Sequence, residues 1–354
     1  MSLVTKKEAN TFRKRVLAWF KHSGRHDLPW QKNANPYRVW ISEIMLQQTQ
    51  VSTVIPYFLR FMQSFPTVTA LAKADLNEVL DHWSGLGYYA RARNLYKTAH
   101  IIHSQYHDKF PRSVDELSAL PGIGRSTAGA ILSLGHKLPA PILDGNVKRV
   151  LARFQAIKGW VGSQATLQKL WEFSSLYTPE EDCGDYNQAM MDLGATLCTR
   201  TKPQCPLCPL NKDCKAHLTH QETKFPEGKK AQTKPKKSII WLLMRDHKEA
   251  LFLEQRPPAG IWGGLWSPPE CPASENPIDW CQQKFGCTIL ESEFQPKIKH
   301  VFSHFELEIQ PVLLDVKAQR QVADSIARVW LKSNEKPPGG LAAPVKKLLT
   351  QLGY

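Results

Sequence analysis

A glycine pair inside a helical pattern marks the first stretch with chemical potential. Gly122 and Gly124 follow a short amphipathic segment and predict a tight turn, after which a second helix begins near Arg125 or Ser126. Backbone N–H groups at the start of such a helix can bind a phosphate. The alternative is a plain corner between two helices, because a glycine pair alone is weak evidence for a binding site.

An aspartate lies just ahead of the next helical pattern. Asp144 precedes an apolar periodicity through Val147, Val150 and Leu151, so the sequence places it at a helix N-terminus. The positive end of the helix dipole favours an ionised carboxylate there. The stretch therefore predicts either a phosphate-binding hairpin with a carboxylate beside a nucleic-acid backbone, or a tight corner followed by an ordinary helix cap.

Four cysteines with the spacing C-x6-C-x2-C-x5-C give the strongest single signal. They are Cys198, Cys205, Cys208 and Cys214. Four thiolates this close are typical of a metal site in a reducing compartment. Their spacing alone leaves both zinc and an iron–sulfur cluster open. The remaining cysteines show no ligand spacing and are predicted to be ordinary residues: Cys183, Cys271, Cys281 and Cys287.

Two further clusters combine residue types that suit nucleic acid. Glu43, Gln47 and Gln50 fall at i, i+4 and i+7, which predicts a polar edge along one side of a helix. Amides in a row suit base edges, although a solvated helix face is the simpler alternative. Tyr88 and Tyr89 lie among arginines, a mixture that suits base stacking with phosphate contacts. The alternative is a pair of core tyrosines.

Length and charge limit the function classes. The chain has 354 residues, which favours two domains, and 46 Lys and Arg against 32 Asp and Glu give a net charge of +14. That excess predicts a polyanionic partner, either nucleic acid or an anionic membrane surface. No apolar run approaches the roughly 20 residues that span a bilayer, and residues 1–8 lack a signal-peptide core. We therefore expect a cytoplasmic protein without disulfides.

The composition changes near residue 230. A helical pattern precedes a segment rich in lysine, proline and glycine between Lys224 and Lys237, which predicts a flexible linker. Beyond it an α+β pattern is expected, with strands at Ile239–Met244, Leu251–Glu254, Val301–Leu314 and Val329–Lys332, and helices at Asp279–Phe285 and Ala343–Leu352.

The stretch Leu120–Gly129, followed by Leu143–Arg149, resembles the helix-hairpin-helix and aspartate of the endonuclease III superfamily, and within it the MutY-type adenine DNA glycosylases. Four independent motifs match in order, so the resemblance covers essentially the whole chain. It implies a multidomain fold class: an all-α helix-hairpin-helix glycosylase domain (1–224) with an iron–sulfur loop (198–214), a basic linker (225–237), and an α+β nudix-like domain (238–354) that recognises 8-oxoguanine.

The resemblance also implies roles for single residues. It makes Glu43 the general acid and Asp144 the ionised carboxylate, which Asn146 can position. Glu43 must then hold a proton near neutral pH, in a poorly solvated pocket. Further implied contacts to DNA come from the duplex wedge Gln48, the intercalating Tyr88 and the hairpin residues Gly122, Gly124, Arg125 and Ser126. Contacts to the flipped base are implied for Trp30, Gln31 and Gln188. The implied cofactor is one 4Fe-4S cluster on the four cysteines.

The second domain carries a separate expectation. Phe302-Ser303-His304 matches the loop that the family uses on 8-oxoguanine, which implies DNA contacts from Ser303 and His304. Nudix hydrolases hold Mg²⁺ on a helix dense in glutamates, and Asp279–Phe285 lacks them. We therefore expect this domain to bind without hydrolysing.

Three functions compete. The first is a monofunctional glycosylase that removes adenine paired with 8-oxoguanine or guanine in double-stranded DNA, working as a monomer in the bacterial cytosol near the nucleoid. The second is an endonuclease III-like lyase for oxidised pyrimidines, but these enzymes carry a Schiff-base lysine where this chain has Ser126. Some MutY-type relatives carry tyrosine there, so the role of Ser126 stays open. The third is a non-catalytic DNA-binding scaffold, which would not need both Glu43 and Asp144.

Overall fold

The computed structural model describes residues 4–229, 233–258, 260–302, 304–317 and 327–354. Their contacts form two compact units. One comprises the described residues of Met1–Lys73 and Asn94–Lys230, and the other those of Ala74–Arg93 and Ala231–Tyr354. The division near residue 230 falls within the predicted linker. The segment Ala74–Arg93, which the sequence analysis placed in the helical domain, packs with the second unit instead.

Helices build the first unit. In chain order, the helices before the sheet are α1 (Lys6–Ser23), α2 (Pro36–Leu46), α3 (Val51–Ser64), α4 (Val68–Lys73), α5 (Leu76–His82, in the second unit), α6 (Ala90–Tyr106), α7 (Val114–Ser118), α8 (Arg125–Ala130), a π-helix (Ile131–His136), α9 (Gly145–Gln155), α10 (Gln164–Tyr177), α11 (Cys183–Thr196) and α12 (Lys215–Leu218). Short 3₁₀ turns at Cys205–Leu207, Asn211–Asp213 and Glu222–Lys224 accompany α12. None of the helices described is long and apolar enough to cross a membrane.

Helix α2 begins as its sequence predicts and ends earlier than expected. The Asn35 side chain accepts a hydrogen bond from the N–H of Arg38. Pro36 occupies the first turn, where its missing N–H costs no helical hydrogen bond. The helix stops at Leu46 because Gln48 takes a left-handed conformation with φ of 59°. Gln50 instead precedes α3 as its N-terminal cap. The predicted continuous polar edge of Glu43, Gln47 and Gln50 is therefore wrong.

A mixed sheet with two flanking helices builds the second unit. The elements are β1 (Lys236–Arg245), β2 (Leu251–Gln255), β3 (Trp266–Ser267), β4 (Glu270–Pro272), α13 (Pro277–Phe285), β5 (Thr288–Phe294), β6 (Ile298–Val301), β7 (Glu306–Lys317), β8 (Arg328–Leu331) and α14 (Ala343–Gln351). The central order is β3-β2-β1-β7-β5, with β1 and β7 parallel in the register Ile239↔Ile309. The α+β expectation is confirmed.

One predicted strand of this unit is two strands. The sequence suggested a single strand over Val301–Leu314, but β6 ends at Val301 and β7 begins at Glu306, and the two pair antiparallel. The connection between them carries Phe302 and His304. Phe302 and His304 therefore lie in a hairpin loop rather than along a strand.

Candidate active site

Asp144 is the N-terminal cap of helix α9. Its carboxylate caps the helix by accepting a hydrogen bond from the N–H of Val147 at 2.7 Å, and its second oxygen accepts one from the Asn146 side-chain amide at 3.1 Å. Burial raises the pKa of Asp144 above its ordinary value, whereas these hydrogen bonds and the nearby Arg149 guanidinium lower it. The sequence anticipated the stabilising cap but not the opposing effect of burial.

Helix α2 brings Glu43 into the electrostatic field of Asp144, although 101 residues separate the two positions in the chain. Burial, and then the negative charge of Asp144, raise the pKa of Glu43 to about 8. Repulsion between two carboxylates opposes ionisation of the second once the first carries a charge. The raised pKa of Glu43 therefore favours its protonated form near neutral pH.

The glycine pair lies in the predicted tight turn before α8, and its two members differ in conformation. Gly122 takes the left-handed conformation, with φ of 78°, and a Cβ there would lie 2.8 Å from Cβ of Asn94. Gly124 caps α8 with an ordinary φ of −92°. A Cβ on Gly124 would meet no atom within 4 Å, so neither backbone conformation nor packing of the described residues demands glycine there.

The two residues after this turn have internal partners. The Ser126 hydroxyl accepts a hydrogen bond from the N–H of Leu143 at 2.9 Å, one residue ahead of Asp144. The Arg125 guanidinium lies over the ring of Trp171, 4.0 Å from its centroid. The hairpin is thus joined directly to the chain segment that carries the aspartate.

The three predicted base-pocket residues converge on one cavity of about 170 Å³ in the first unit. Both ends of the Gln31 amide are engaged, since its oxygen accepts from the N–H of Leu28 and its nitrogen donates to the carbonyl of Arg25. Trp30 packs edge-on against Phe58. Ser42, the neighbour of Glu43 in sequence, also lines this cavity, whereas Glu43 and Asp144 are not among its lining residues.

An ion pair between a buried aspartate and a partly buried arginine lies beside this cavity. Asp192 accepts hydrogen bonds from the backbone N–H and guanidinium of Arg25, and also from the Gln188 amide at 3.0 Å. This network ties α11 to the loop that carries Trp30. A larger cavity of about 600 Å³ in the same unit, lined by residues such as Tyr37, Phe110 and His136, contains none of the predicted site residues.

The four predicted metal-ligating cysteines line one small cavity of about 20 Å³. Burial, reinforced by the neighbouring thiols, raises the pKa of Cys208 to about 12. The convergence of four sulfur donors on one cavity fits an iron–sulfur cluster or zinc. Cys205, His217 and Glu222 also have ligand atoms within 4.8 Å of one another, so the geometry leaves the choice of metal open.

Sequence reasoning missed two arginines on α9. Arg149 donates to the Asn146 side chain at 2.8 Å and to the carbonyl of Cys198 at 2.7 Å, which connects the hydrogen-bonding partner of Asp144 to the cysteine loop. Arg153 is 2% exposed and donates to the Cys198 sulfur at 3.3 Å. A signal for this was present in the sequence. The two arginines lie four residues apart after a helix-capping aspartate, so they share one helix face and can donate to the same group of acceptors.

The proposed wedge and intercalating residues are both presented outward. Gln48 is exposed in the turn between α2 and α3. Tyr88 belongs to the second unit, is 48% exposed, has a φ of 51°, and lies with its ring centroid 5.5 Å from the Arg91 guanidinium. Tyr89 is buried instead, and its hydroxyl donates to the carbonyl of Leu341. The tyrosine pair therefore divides between a surface and a core role.

Of the motif in the β6–β7 loop, Ser303 lies outside the described residues. His304 is exposed, and its ring lies 4.8 Å from that of Phe305. Phe302 stacks on Phe305 at 4.5 Å, and its carbonyl accepts a hydrogen bond from Lys234. Packing thus anchors both flanks of the motif while the histidine faces solvent.

Comparison with known proteins assigns both parts of the chain. Residues 41–175 match the HhH-GPD superfamily of base excision DNA repair proteins, and residues 240–351 match the NUDIX domain. The adenine DNA glycosylase of Buchnera aphidicola subsp. Acyrthosiphon pisum (strain APS) is 41% identical over 339 residues, 96% of each chain. The adenine DNA glycosylase of Homo sapiens is 32% identical over 405 residues, covering 96% of this chain and 74% of that protein.

Solved structures agree for the helical part. A thermostable thymine-DNA glycosylase is similar, with a TM-score of 0.55 and 26% identity over 60% of this chain and 98% of its own. An endonuclease III in a non-covalent DNA complex gives 0.51 and 25% over 62% of this chain and 99% of its own. Together with the full-length relatives, these matches show that the chain belongs to the adenine DNA glycosylase family of base excision repair enzymes.

Proposed function

We propose that this enzyme removes adenine mispaired with 8-oxoguanine, or with guanine, by flipping the adenine out of the duplex and hydrolysing its N-glycosidic bond. The carboxyl pair carries the proposal. Glu43, with a pKa of about 8, holds a proton near neutral pH, and the hydrogen bonds that cap Asp144 favour its ionised form against the raising effect of burial. Two carboxyl groups whose environments separate their pKa values are the usual basis for dividing acid and charge-stabilising roles.

Each carboxyl then has one task. Glu43 donates its proton to a ring nitrogen of adenine, so that the bond from the base to the anomeric carbon breaks with the electron pair leaving on the base. Asp144 stabilises the positive charge that develops on the sugar, and water adds to the anomeric carbon. The hydrogen bond from Asn146 holds the Asp144 carboxylate in position.

Ser126 favours a monofunctional reaction. A serine hydroxyl cannot form an imine with the sugar, and here it accepts the N–H of Leu143. This arrangement supports a positioning role for Ser126 near Asp144, in addition to any DNA contact, and argues against an endonuclease III-like lyase step.

The surface features support binding of a deformed duplex. The open space at Gly124 leaves its backbone accessible to a phosphate, with Gly122 shaping the turn and Arg125 exposed beside it. Gln48 takes the role of duplex wedge, and Tyr88 that of a stacking residue. Trp30, Gln31 and Gln188 contact the flipped adenine. The proposed assembly is one enzyme molecule bound to one DNA duplex.

We assign the cysteine cavity to one 4Fe-4S cluster held by Cys198, Cys205, Cys208 and Cys214, because the four converging sulfur donors and the family match both support it. When bound, the cluster supplies four strong metal–thiolate bonds that order the loop between α11 and α12. Arg153 donates to the Cys198 sulfur and would partly offset the negative charge of the ligands.

The second unit supplies lesion preference. Oxidation gives guanine an N7–H donor and an O8 acceptor, and Ser303 and His304 have the donors and acceptors to address both. Helix α13 has the single acid Asp279, too few for a nudix magnesium site. A nudix domain without that site, carrying an anchored and exposed histidine loop, is suited to binding rather than hydrolysis.

A single-turnover assay tests the whole proposal. Duplexes with adenine opposite 8-oxoguanine, adenine opposite guanine, and thymine glycol opposite adenine are compared at fixed salt, because phosphate contacts dominate affinity. The expected result is excision of adenine from the first two, fastest opposite 8-oxoguanine, with no cleavage of thymine glycol and no strand scission. Excision of thymine glycol with strand scission would replace this proposal with the lyase function.

A further inference from the structure

Two cysteines of the second unit face each other where helix α13 ends. Cys281 lies in the last turns of α13, and Cys287 follows the left-handed Gly286 that caps it, with φ of 62°. Gly286 reverses the chain direction, so that the Cys287 sulfur lies 3.5 Å from the Cys281 sulfur. Both residues are buried, at 0% and 4% exposure. Neither belongs to the metal-binding loop, and nothing in the proposed reaction uses them.

We propose that Cys281 and Cys287 are a redox-active thiol pair that hydrogen peroxide converts into an intramolecular disulfide and that a dithiol reductant restores. The two sulfurs need to approach by about 1.5 Å to reach the disulfide bond length of about 2.05 Å. Their contact is already side chain to side chain, across only six positions of the sequence.

The shared proton gives the pair its reactivity. Hydrogen bonding between the two thiols lowers the pKa of Cys287, so Cys287 reaches the nucleophilic thiolate form more readily than an ordinary thiol. The Cys287 thiolate attacks one peroxide oxygen, the O–O bond breaks, and hydroxide leaves with a sulfenic acid on Cys287. The Cys281 sulfur then attacks the Cys287 sulfur, and the second oxygen leaves as water. Two thiols and one peroxide thus give one disulfide and two waters.

Ordinary core packing is the competing role. The two sulfurs lie in an apolar cluster that also contains Phe252, Phe285 and Cys271. A purely structural role predicts that the pair resists oxidation like a single buried thiol, because burial raises the pKa and slows reaction. Cys183 is such a thiol in the first unit, buried and with a raised pKa. It therefore serves as the internal reference.

The cleavage pattern of trypsin makes the test specific. Cleavage after Lys284 places Cys281, with Cys271, in the peptide 249–284 and Cys287 in the peptide 285–297. The full-length protein with its cluster is exposed to low concentrations of hydrogen peroxide, quenched in acid, denatured, alkylated and digested. Mass spectrometry then measures the cross-linked peptide pair. Peptides from the cysteine loop are separate, so cluster damage does not obscure the result.

We expect the cross-link to form at least tenfold faster than oxidation of Cys183 and to disappear with dithiothreitol. Cys271→Ser is the matched control and should retain the cross-link, whereas Cys281→Ser and Cys287→Ser should each abolish it. Loss of the cross-link in Cys271→Ser would show that Cys271, rather than Cys281, forms the disulfide with Cys287. Oxidation of the wild-type pair no faster than that of Cys183 would show that both cysteines have only a packing role. This comparison is made on the wild-type protein, so it does not depend on the folding of any variant.

Discussion

The raised pKa of Glu43 predicts the pH dependence of base excision. A carboxyl with its ordinary pKa of 4.5 would be only about 0.3% protonated at pH 7, whereas a pKa of about 8 leaves roughly nine-tenths of the molecules protonated. The environment of Glu43 therefore raises the supply of general acid about 300-fold at neutral pH. Burial contributes most of this effect, and the charge of Asp144 adds to it.

The assay is the single-turnover excision rate constant on a duplex with adenine opposite 8-oxoguanine, from pH 6 to 10 at constant ionic strength. The active form of a general acid is the protonated one, so the rate should be nearly level to about pH 7.5 and fall about tenfold per pH unit above pH 8. Glu43→Gln should bind the duplex, excise at least about 100-fold more slowly, and lack this alkaline limb. A wild-type rate that already falls about tenfold between pH 6 and pH 7, or stays level to pH 10, would refute the assignment of the acid.

The same pKa has a consequence for stability. A pKa that is raised by folding means that the protonated form favours the folded state, so the stability from Glu43 is complete below about pH 4.5 and lost as pH rises through about 8. The full shift corresponds to about 5 kcal/mol, an upper limit because Glu43 keeps partial solvent exposure. Urea unfolding should show the free energy of unfolding of wild type falling by about 1–3 kcal/mol relative to that of Glu43→Gln when the pH is raised from 5 to 8.5. An equal difference at both pH values would contradict this reasoning.

The remaining predictions concern the other parts of the site. Asp144→Asn should keep mismatch binding and lose excision, because it removes charge at nearly constant size; normal single-turnover rates would exclude the assigned role. Arg149→Met should weaken excision more than binding, by about 10-fold or more, since it removes a charge-assisted hydrogen bond that holds Asn146, worth about 1.5–3 kcal/mol. Metal analysis should find about four irons per chain with visible absorbance, and Cys205→Ser should lower DNA affinity; one zinc and no iron would overturn the cluster. His304→Ala should lower the ratio of excision opposite 8-oxoguanine to that opposite guanine by roughly 5- to 100-fold, while the exposed His247→Ala leaves it unchanged.

Local signals predicted the local structure well. Asn35 and Pro36 begin α2, Asp144 caps α9, and the four cysteines meet in one cavity, because each depends on neighbours within a few turns of chain. The end of α2 was missed because a single left-handed residue, Gln48, terminates it, and glutamine carries no preference for that conformation.

Long-range contacts were beyond reach of the sequence pattern alone. The sequence around Arg149 is typical of a solvated helix residue, but in the fold its guanidinium donates to the carbonyl of Cys198, 49 positions away. The pKa of Glu43 likewise depends on burial and on Asp144, neither of which its own neighbours specify. Family resemblance supplied the role of Glu43 but not that of Arg149, and the fold supplies the physical cause of both.

The placement of Ala74–Arg93 decides how lesion recognition must be tested. A truncation near Phe225, at the start of the linker, would delete most of the second unit while leaving this segment behind. Tyr89 would lose the Leu341 carbonyl that accepts its hydroxyl, and Gln255 would no longer donate to the side chain of Asn77. Tyr88 lies in the same segment, so a loss of preference in the truncated enzyme could come from a collapsed stacking residue rather than from a missing reader of 8-oxoguanine. The full-length pair His304→Ala and His247→Ala separates these causes, because both histidines are exposed and only His304 lies in the anchored β6–β7 loop.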